Sequence, residues 1–133
     1  METETKPAQK SGPFSLKELE NHVDEGRNKL LISCIRCPSK ILNAGIAEYK
    51  DIEFALPKMT LRKDRKDENI EEEILNQYWM VADKFAFENI GFSNAVSGIQ
   101  YLICADCEIG PIGWYDKSTQ FCYVSVSRVN YRS

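Results

Sequence analysis

Histidine is almost absent from this chain of 133 residues: it occurs once, as His22, in a polar N-terminal stretch. Without a second imidazole, neither a histidine-activated nucleophile nor a histidine-bound catalytic metal has a core partner to draw on. Positive charge is also scarce. Seventeen Lys and Arg against twenty Asp and Glu give a formal charge of −3, so the composition offers no basic excess to recruit nucleic acid by counterion release. No uninterrupted apolar run approaches the roughly 20 residues of a membrane span, and direct membrane insertion is not expected. The opening Met1-Glu-Thr-Glu-Thr-Lys6 lacks the apolar stretch of a secretory signal. No P-loop and no Gly-rich dinucleotide fingerprint occurs.

Against these absences stand five cysteines. Four form two C-x2-C pairs, Cys34-Ile-Arg-Cys37 and Cys104-Ala-Asp-Cys107, with 66 residues between the pairs. Zinc prefers four soft ligands in a tetrahedron, and a two-residue spacer lets one tight turn present two thiolates to one ion. The expectation is one structural zinc bound by Cys34, Cys37, Cys104 and Cys107, stapling two distant segments of one domain. Free thiols or two disulfides are the alternatives. Cysteines without an export signal fit a reducing compartment, and the chain is expected in the cytosol. The fifth cysteine, Cys122, alternates with Phe121 and Tyr123 and is read as a small core residue.

A chain of this length makes one domain. Residues 1–28 are expected to be a polar N-terminal extension. Within it Ser15-Leu-Lys-Glu18 matches a capping box, Leu16, Leu19 and Val23 recur at helical spacing, and Gly26 offers a stop, so a short helix is expected. Residues 29–133 are expected to form a single zinc-binding β domain. Short strands are read at 30–33, Lys40–Leu42, 46–49, 52–56, Tyr78–Val81, 85–88, 99–103 and 121–126, separated by frequent turn residues. The run from Arg62 to Glu73 holds four basic and six acidic side chains, with Ile70 its one clear apolar anchor. Such a run buries too little to offset its ordering entropy, and a mobile charged loop is expected at 62–73. A solvated helix face at 70–77 is the alternative.

A second cluster surrounds the Cys104 knuckle. The stretch from Asp83 to Phe92 has three phenylalanines punctuated by acids and amides, and Cys104–Trp114 places Asp106 and Glu108 on a metal-braced turn. An aromatic patch ringed by acids on a rigid scaffold reads as a protein-docking surface. The bland reading is that the phenylalanines are core and the acids merely solvated.

The segments Trp79-Met-Val-Ala-Asp83, Phe85-Ala-Phe-Glu-Asn-Ile-Gly-Phe92 and Cys104-Ala-Asp-Cys-Glu-Ile-Gly-Pro-Ile-Gly-Trp114 resemble the Rab-interacting factor, or mammalian suppressor of Sec, family. The resemblance runs from about Leu30 to Val129 and leaves out the N-terminal region and the charged run. It implies a zinc-containing β-tent domain that binds Rab-type small GTPases. Family members release guanine nucleotide and hold the nucleotide-free GTPase as chaperones in vesicle transport, without covalent catalysis. By motif, the partner-facing set would be Asp106, Phe85, Phe87, Glu88, Asn89, Glu108 and Trp79. A monomer suffices for such a role.

Two other classes compete. A methionine sulfoxide reductase B-like enzyme would share the paired C-x-x-C zinc site but would need a nucleophilic cysteine, for which Cys122 is the remaining candidate. A zinc-ribbon nucleic-acid binder is opposed by the negative charge and the acidic second knuckle.

Overall fold

The computed structural model describes residues 15–61, 71–93 and 98–132. Helix α1 (Leu16–His22) starts where the sequence places it: the Ser15 hydroxyl accepts from the Glu18 amide, and the Glu18 carboxylate accepts from the Ser15 amide. This reciprocal pair satisfies two donors that a helix start otherwise leaves open. The chain then turns tightly at Glu25 and Gly26, both at positive φ, between β1 (Val23–Asp24) and β2 (Arg27–Asn28). Residues 23–28 are therefore built into the sheet, because β2 pairs with β5 (Glu48–Lys50). The expected N-terminal extension to residue 28 ends earlier than that.

The main sheet is antiparallel and has eight strands in the order β1-β2-β5-β9-β14-β13-β11-β10. Its remaining members are β9 (Tyr78–Val81), β10 (Ile90–Phe92), β11 (Ile99–Cys104), β13 (Gly113–Asp116) and β14 (Phe121–Ser125). Strand side chains alternate between faces, and here both faces are covered. Trp79, Val81, Leu102, Tyr115, Cys122 and Val124 point into one core with Ile32, Ile41, Leu42 and Val129. Those partners come from a second sheet, β15-β3-β4, formed by β3 (Leu31–Cys34), β4 (Lys40–Leu42) and β15 (Val129–Arg132). Tyr78, Trp114 and Tyr123 point the other way and pack with Leu56. That second core is aromatic: the Trp114 ring stacks between Phe54 at 3.8 Å and Tyr123 at 4.3 Å. Burial on both faces explains why Tyr78-Trp-Met-Val reads as a continuous apolar run rather than an alternating one.

The second core is roofed by a two-stranded antiparallel sheet of β6 (Phe54–Pro57) and β8 (Glu72–Leu75). Of the expected mobile run, residues 62–70 lie outside the described residues, but Glu72 and Glu73 are paired strand, neither loop nor helix. Arg128 supplies the reason. Its buried guanidinium donates to Pro57 O at 2.8 Å, Pro111 O at 2.7 Å and Glu73 Oε1 at 2.7 Å. A charge-assisted hydrogen bond is stronger than a neutral one, and the one from buried Arg128 holds the half-exposed Glu73 carboxylate to the fold. A small pairing of β7 (Thr60–Leu61) with β12 (Ile109–Gly110) joins the end of this two-stranded sheet to the second knuckle.

A further departure concerns Phe85–Glu88, expected as a strand. Residues Lys84–Ala86 instead form a 3-10 turn, started by the Asp83 carboxylate accepting from the Phe85 amide at 2.9 Å. A local side-chain bond of this kind competes with ladder formation.

Gly113 shows how tightly β13 and β14 approach. A Cβ placed on it would lie 1.9 Å from the Tyr123 carbonyl oxygen, a backbone atom that cannot rotate away. Gly113→Ala should lower stability by at least the 1–3 kcal/mol typical of overpacking. The check is a urea unfolding curve, which should shift its midpoint down with little change in slope.

Candidate metal centre and the surface around it

Each C-x2-C pair sits where a strand runs out. The first follows from β3, which ends at Cys34, and the second from β11, which ends at Cys104. In the first turn the amides of Arg36 and Cys37 point at Cys34 Sγ, at 3.3 and 3.4 Å, and the Cys34 amide donates to Ser39 O at 2.9 Å. In the second, the Glu108 amide donates to Cys104 O at 2.9 Å, and Glu108 closes the turn at φ 64°. Amides aimed at sulfur favour the thiolate that a metal requires.

The four Sγ atoms lie within 4.8 Å of one another. Two separations across the pairs, Cys34–Cys107 and Cys37–Cys104, are both 3.6 Å. Four sulfurs at zinc–sulfur bond length make a tetrahedron of edge about 3.8 Å, so the donor set fits a single four-coordinate ion. In the metal-free thiol state, burial pushes Cys34 up to about 12. Burial also works upward on Cys37, but contacts with Ser39 and with the Cys104 and Cys107 sulfurs together outweigh it and bring that thiol down to about 7. An ion entering the site displaces protons, which ties its affinity to pH.

The expected partner-facing residues separate into two groups. Asp106 is exposed on the second knuckle, and its carboxylate accepts from the Ser39 hydroxyl. Glu88 is exposed, accepts from Asn43 Nδ2 at 3.4 Å and lies 3.5 Å from the Lys40 ammonium. The Asn89 side chain donates to Lys40 O at 3.0 Å, while Asn89 O accepts from the Ala105 amide at 2.8 Å. Residues 39–43 thus touch all three of these side chains. Glu108 is exposed as well, and Phe85 is 85% exposed on its 3-10 turn.

Phe87 and Trp79 face the other way. Phe87 is half-buried against the main core. Trp79 is fully buried, and its indole N–H donates to the Tyr131 hydroxyl at 2.9 Å. A side chain with no exposed surface cannot touch a partner, so its assignment to the docking set is corrected: Trp79 is core. The bland alternative, in which all three phenylalanines are core, does not hold for Phe85, whose ring is exposed. Sequence reasoning missed Ser39, Lys40 and Asn43. Ser39 stands two residues past Cys37, but nothing in composition or spacing reveals a contact that spans 67 residues of chain.

Cys122 lies in the main core with no exposed surface, and burial pushes its thiol up to about 12. A thiol so placed is not a nucleophile at neutral pH.

Fold and site together define a class: a mainly antiparallel β domain whose two sheets meet at a four-cysteine site able to hold a metal ion. The family model described as "Mss4 protein" matches residues 27–131. A Drosophila melanogaster protein, "Guanine nucleotide exchange factor MSS4 homolog", is 40% identical over 112 residues, which cover 84% of this chain and 92% of that one. A Schizosaccharomyces pombe protein of the same description is 31% identical over 91 residues, covering 68% and 85%. The chain belongs to the Mss4 family, the one its second knuckle resembles.

Removing one ligand should take away both the metal and the fold, because the free energies of binding and folding are linked. Elemental analysis of natively purified protein should find about one metal ion per chain, as a closed four-cysteine site requires. Cys104→Ser should contain little metal and lose its near-ultraviolet circular dichroism. A fully folded Cys104→Ser would refute the staple.

Proposed function

We propose that this protein is a guanine nucleotide exchange factor for Rab-type small GTPases. On this reading it binds the nucleotide-free GTPase and chaperones it during vesicle transport, as a zinc-containing monomer in the cytosol and without any covalent step. The observation that carries the reading is the placement of Asp106: an exposed carboxylate on a turn fixed at both ends by cysteines of the metal site, with Glu88 and Asn89 held beside it. The descriptions of the fly and yeast relatives as exchange factors support the activity. The choice of Rab-type GTPases rests on the resemblance of the Phe85–Phe92 and Cys104–Trp114 segments. Zinc is favoured by four sulfur donors in a tetrahedral arrangement.

The chemistry follows from linkage. A GTPase holds its nucleotide through a P-loop lysine, backbone amides and magnesium around the phosphates. When the nucleotide leaves, those cationic groups lose their partner. Carboxylates at Asp106, Glu88 and Glu108 offer a replacement, and the exposed Phe85 ring offers an apolar anchor for a displaced loop. A protein that binds the empty state more tightly than the loaded state lowers nucleotide affinity by the same factor. Nothing in this cycle needs a nucleophile or a general base, consistent with a single histidine and a buried Cys122. The same burial disfavours a methionine sulfoxide reductase, and the charge of −3 disfavours a nucleic-acid binder.

Two variants test the face. Asp106→Ala removes a carboxylate that binds no metal, and Phe85→Ala truncates an exposed ring, so both should keep the fold and the metal. Each should weaken binding to a nucleotide-depleted Rab by about 1–3 kcal/mol and slow the release of labelled GDP. A parent protein that ignores every Rab in a panel, loaded or empty, would sink the function. Parent-like behaviour of both variants would sink the site.

A further inference from the structure

The docking face described above relies on exposed acids, and an exposed aspartate ordinarily samples several rotamers. Freezing it when a partner arrives costs side-chain entropy and weakens the complex. Asp106 has a neighbour that removes this cost in advance. Ser39 is fixed by its own main chain, since its carbonyl accepts from the Cys34 amide at 2.9 Å inside the first knuckle. Its hydroxyl stands 3.4 Å from Cys37 Sγ and donates to Asp106 Oδ2. It therefore links the two knuckles on the outer side of the sulfur cluster.

We propose that Ser39 is a positioning residue for partner docking: its hydroxyl holds the Asp106 carboxylate in one orientation on the knuckle. The inference rests on the reading of Asp106 given under the proposed function. A hydroxyl carries one proton, and an ionised carboxylate has two oxygens with about four acceptor sites. Donation to Oδ2 therefore leaves Oδ1 open to a cation from the GTPase. Ligand-orienting groups around metal sites commonly act through such contacts, and here the orienting group reaches past the sulfurs to a residue that is not a ligand. The neighbouring Lys40 does a related task, with its carbonyl holding the Asn89 amide at 3.0 Å. Preorganisation of the face thus comes from the chain leaving the first knuckle, although the acids sit on other segments.

The test has a structural arm and a binding arm, both on the metal-loaded full chain. In the first, Hα–Hβ scalar couplings report the Asp106 side-chain rotamer. The parent and Ser39→Thr should show a single rotamer, and Ser39→Ala should show averaged values with its metal content unchanged. In the second, affinity for a nucleotide-depleted Rab is measured for the parent, Ser39→Ala, Ser39→Thr, Asp106→Ala and the Ser39→Ala/Asp106→Ala double variant. Ser39→Ala should weaken binding by about 3- to 30-fold, within the range for coupled neighbours, and Ser39→Thr should restore it. In the Asp106→Ala background the same change should cost less than about twofold. Undiminished binding by Ser39→Ala beside a normal Asp106→Ala loss overturns this proposal alone. An equal Ser39 effect in both backgrounds overturns it too, as does an Asp106 rotamer that stays single without the hydroxyl. Loss of metal from Ser39→Ala would assign the hydroxyl to Cys37 instead, and the proposal would fall with it. A parent that binds no empty Rab, or an Asp106→Ala variant equal to the parent, overturns the functional reading and this inference together.

Discussion

Four sulfur atoms within 4.8 Å of one another are the constraint on which this molecule depends. As thiolates they would repel strongly, and as thiols they would leave polarisable donors packed without a common acceptor. A divalent cation resolves the conflict and converts repulsion into bonding. The consequence reaches beyond the site, because Cys34 ends β3 in one sheet and Cys104 ends β11 in the other. The core between those sheets, with Trp79, Leu102 and Ile32 fully buried in it, closes at the same edge that the metal closes. A domain of this size buries a modest core and gains from such a link.

The cysteine spacing was legible in the sequence because the chemistry is local to each turn: two residues between ligands is a property of the turn itself. The strand Tyr78–Val81 was legible for a related reason, since burial on both faces leaves a continuous apolar signature. Asp106 could be read as exposed, lying between two ligands on a turn. The errors arise where the deciding contact is remote or the motif is silent about depth. Trp79 belongs to a segment that resembles the family, but resemblance does not report burial, and the ring is core. Phe85 and Phe87 look alike in sequence, yet the Asp83 cap turns the first to solvent and lets the second pack inward. Glu72 and Glu73 looked too charged to be strand. Pairing to β6 and the Arg128 guanidinium, more than fifty residues away in sequence, make them so.

The same division between local and remote causes separates rigid from adjustable parts of the surface. Asp106, Glu88 and Asn89 each have a fixed contact to residues 39–43, so their carboxylate and amide groups are presented in a set arrangement. Phe85 is held through its backbone amide, with the Lys84 ammonium 5.7 Å from the centre of its exposed ring, and that ring can follow a partner. A face that combines fixed polar groups with one exposed aromatic suits an encounter in which charge aligns the partners and the ring then finds its pocket.

The connection between Leu61 and Glu71 has an anchored strand on either side. On one side β7 is paired to β12 next to the second knuckle. On the other, the Lys58 amide donates to Glu71 O at 2.8 Å and Arg128 grips Glu73. The contacts that hold these two ends come from the strand after the second knuckle and from the residue just before β15, so both ends are tied to the parts of the chain that carry the cysteine site. A change of charge at Glu73 would therefore be felt through Arg128 at the Pro111 carbonyl, just past the second knuckle.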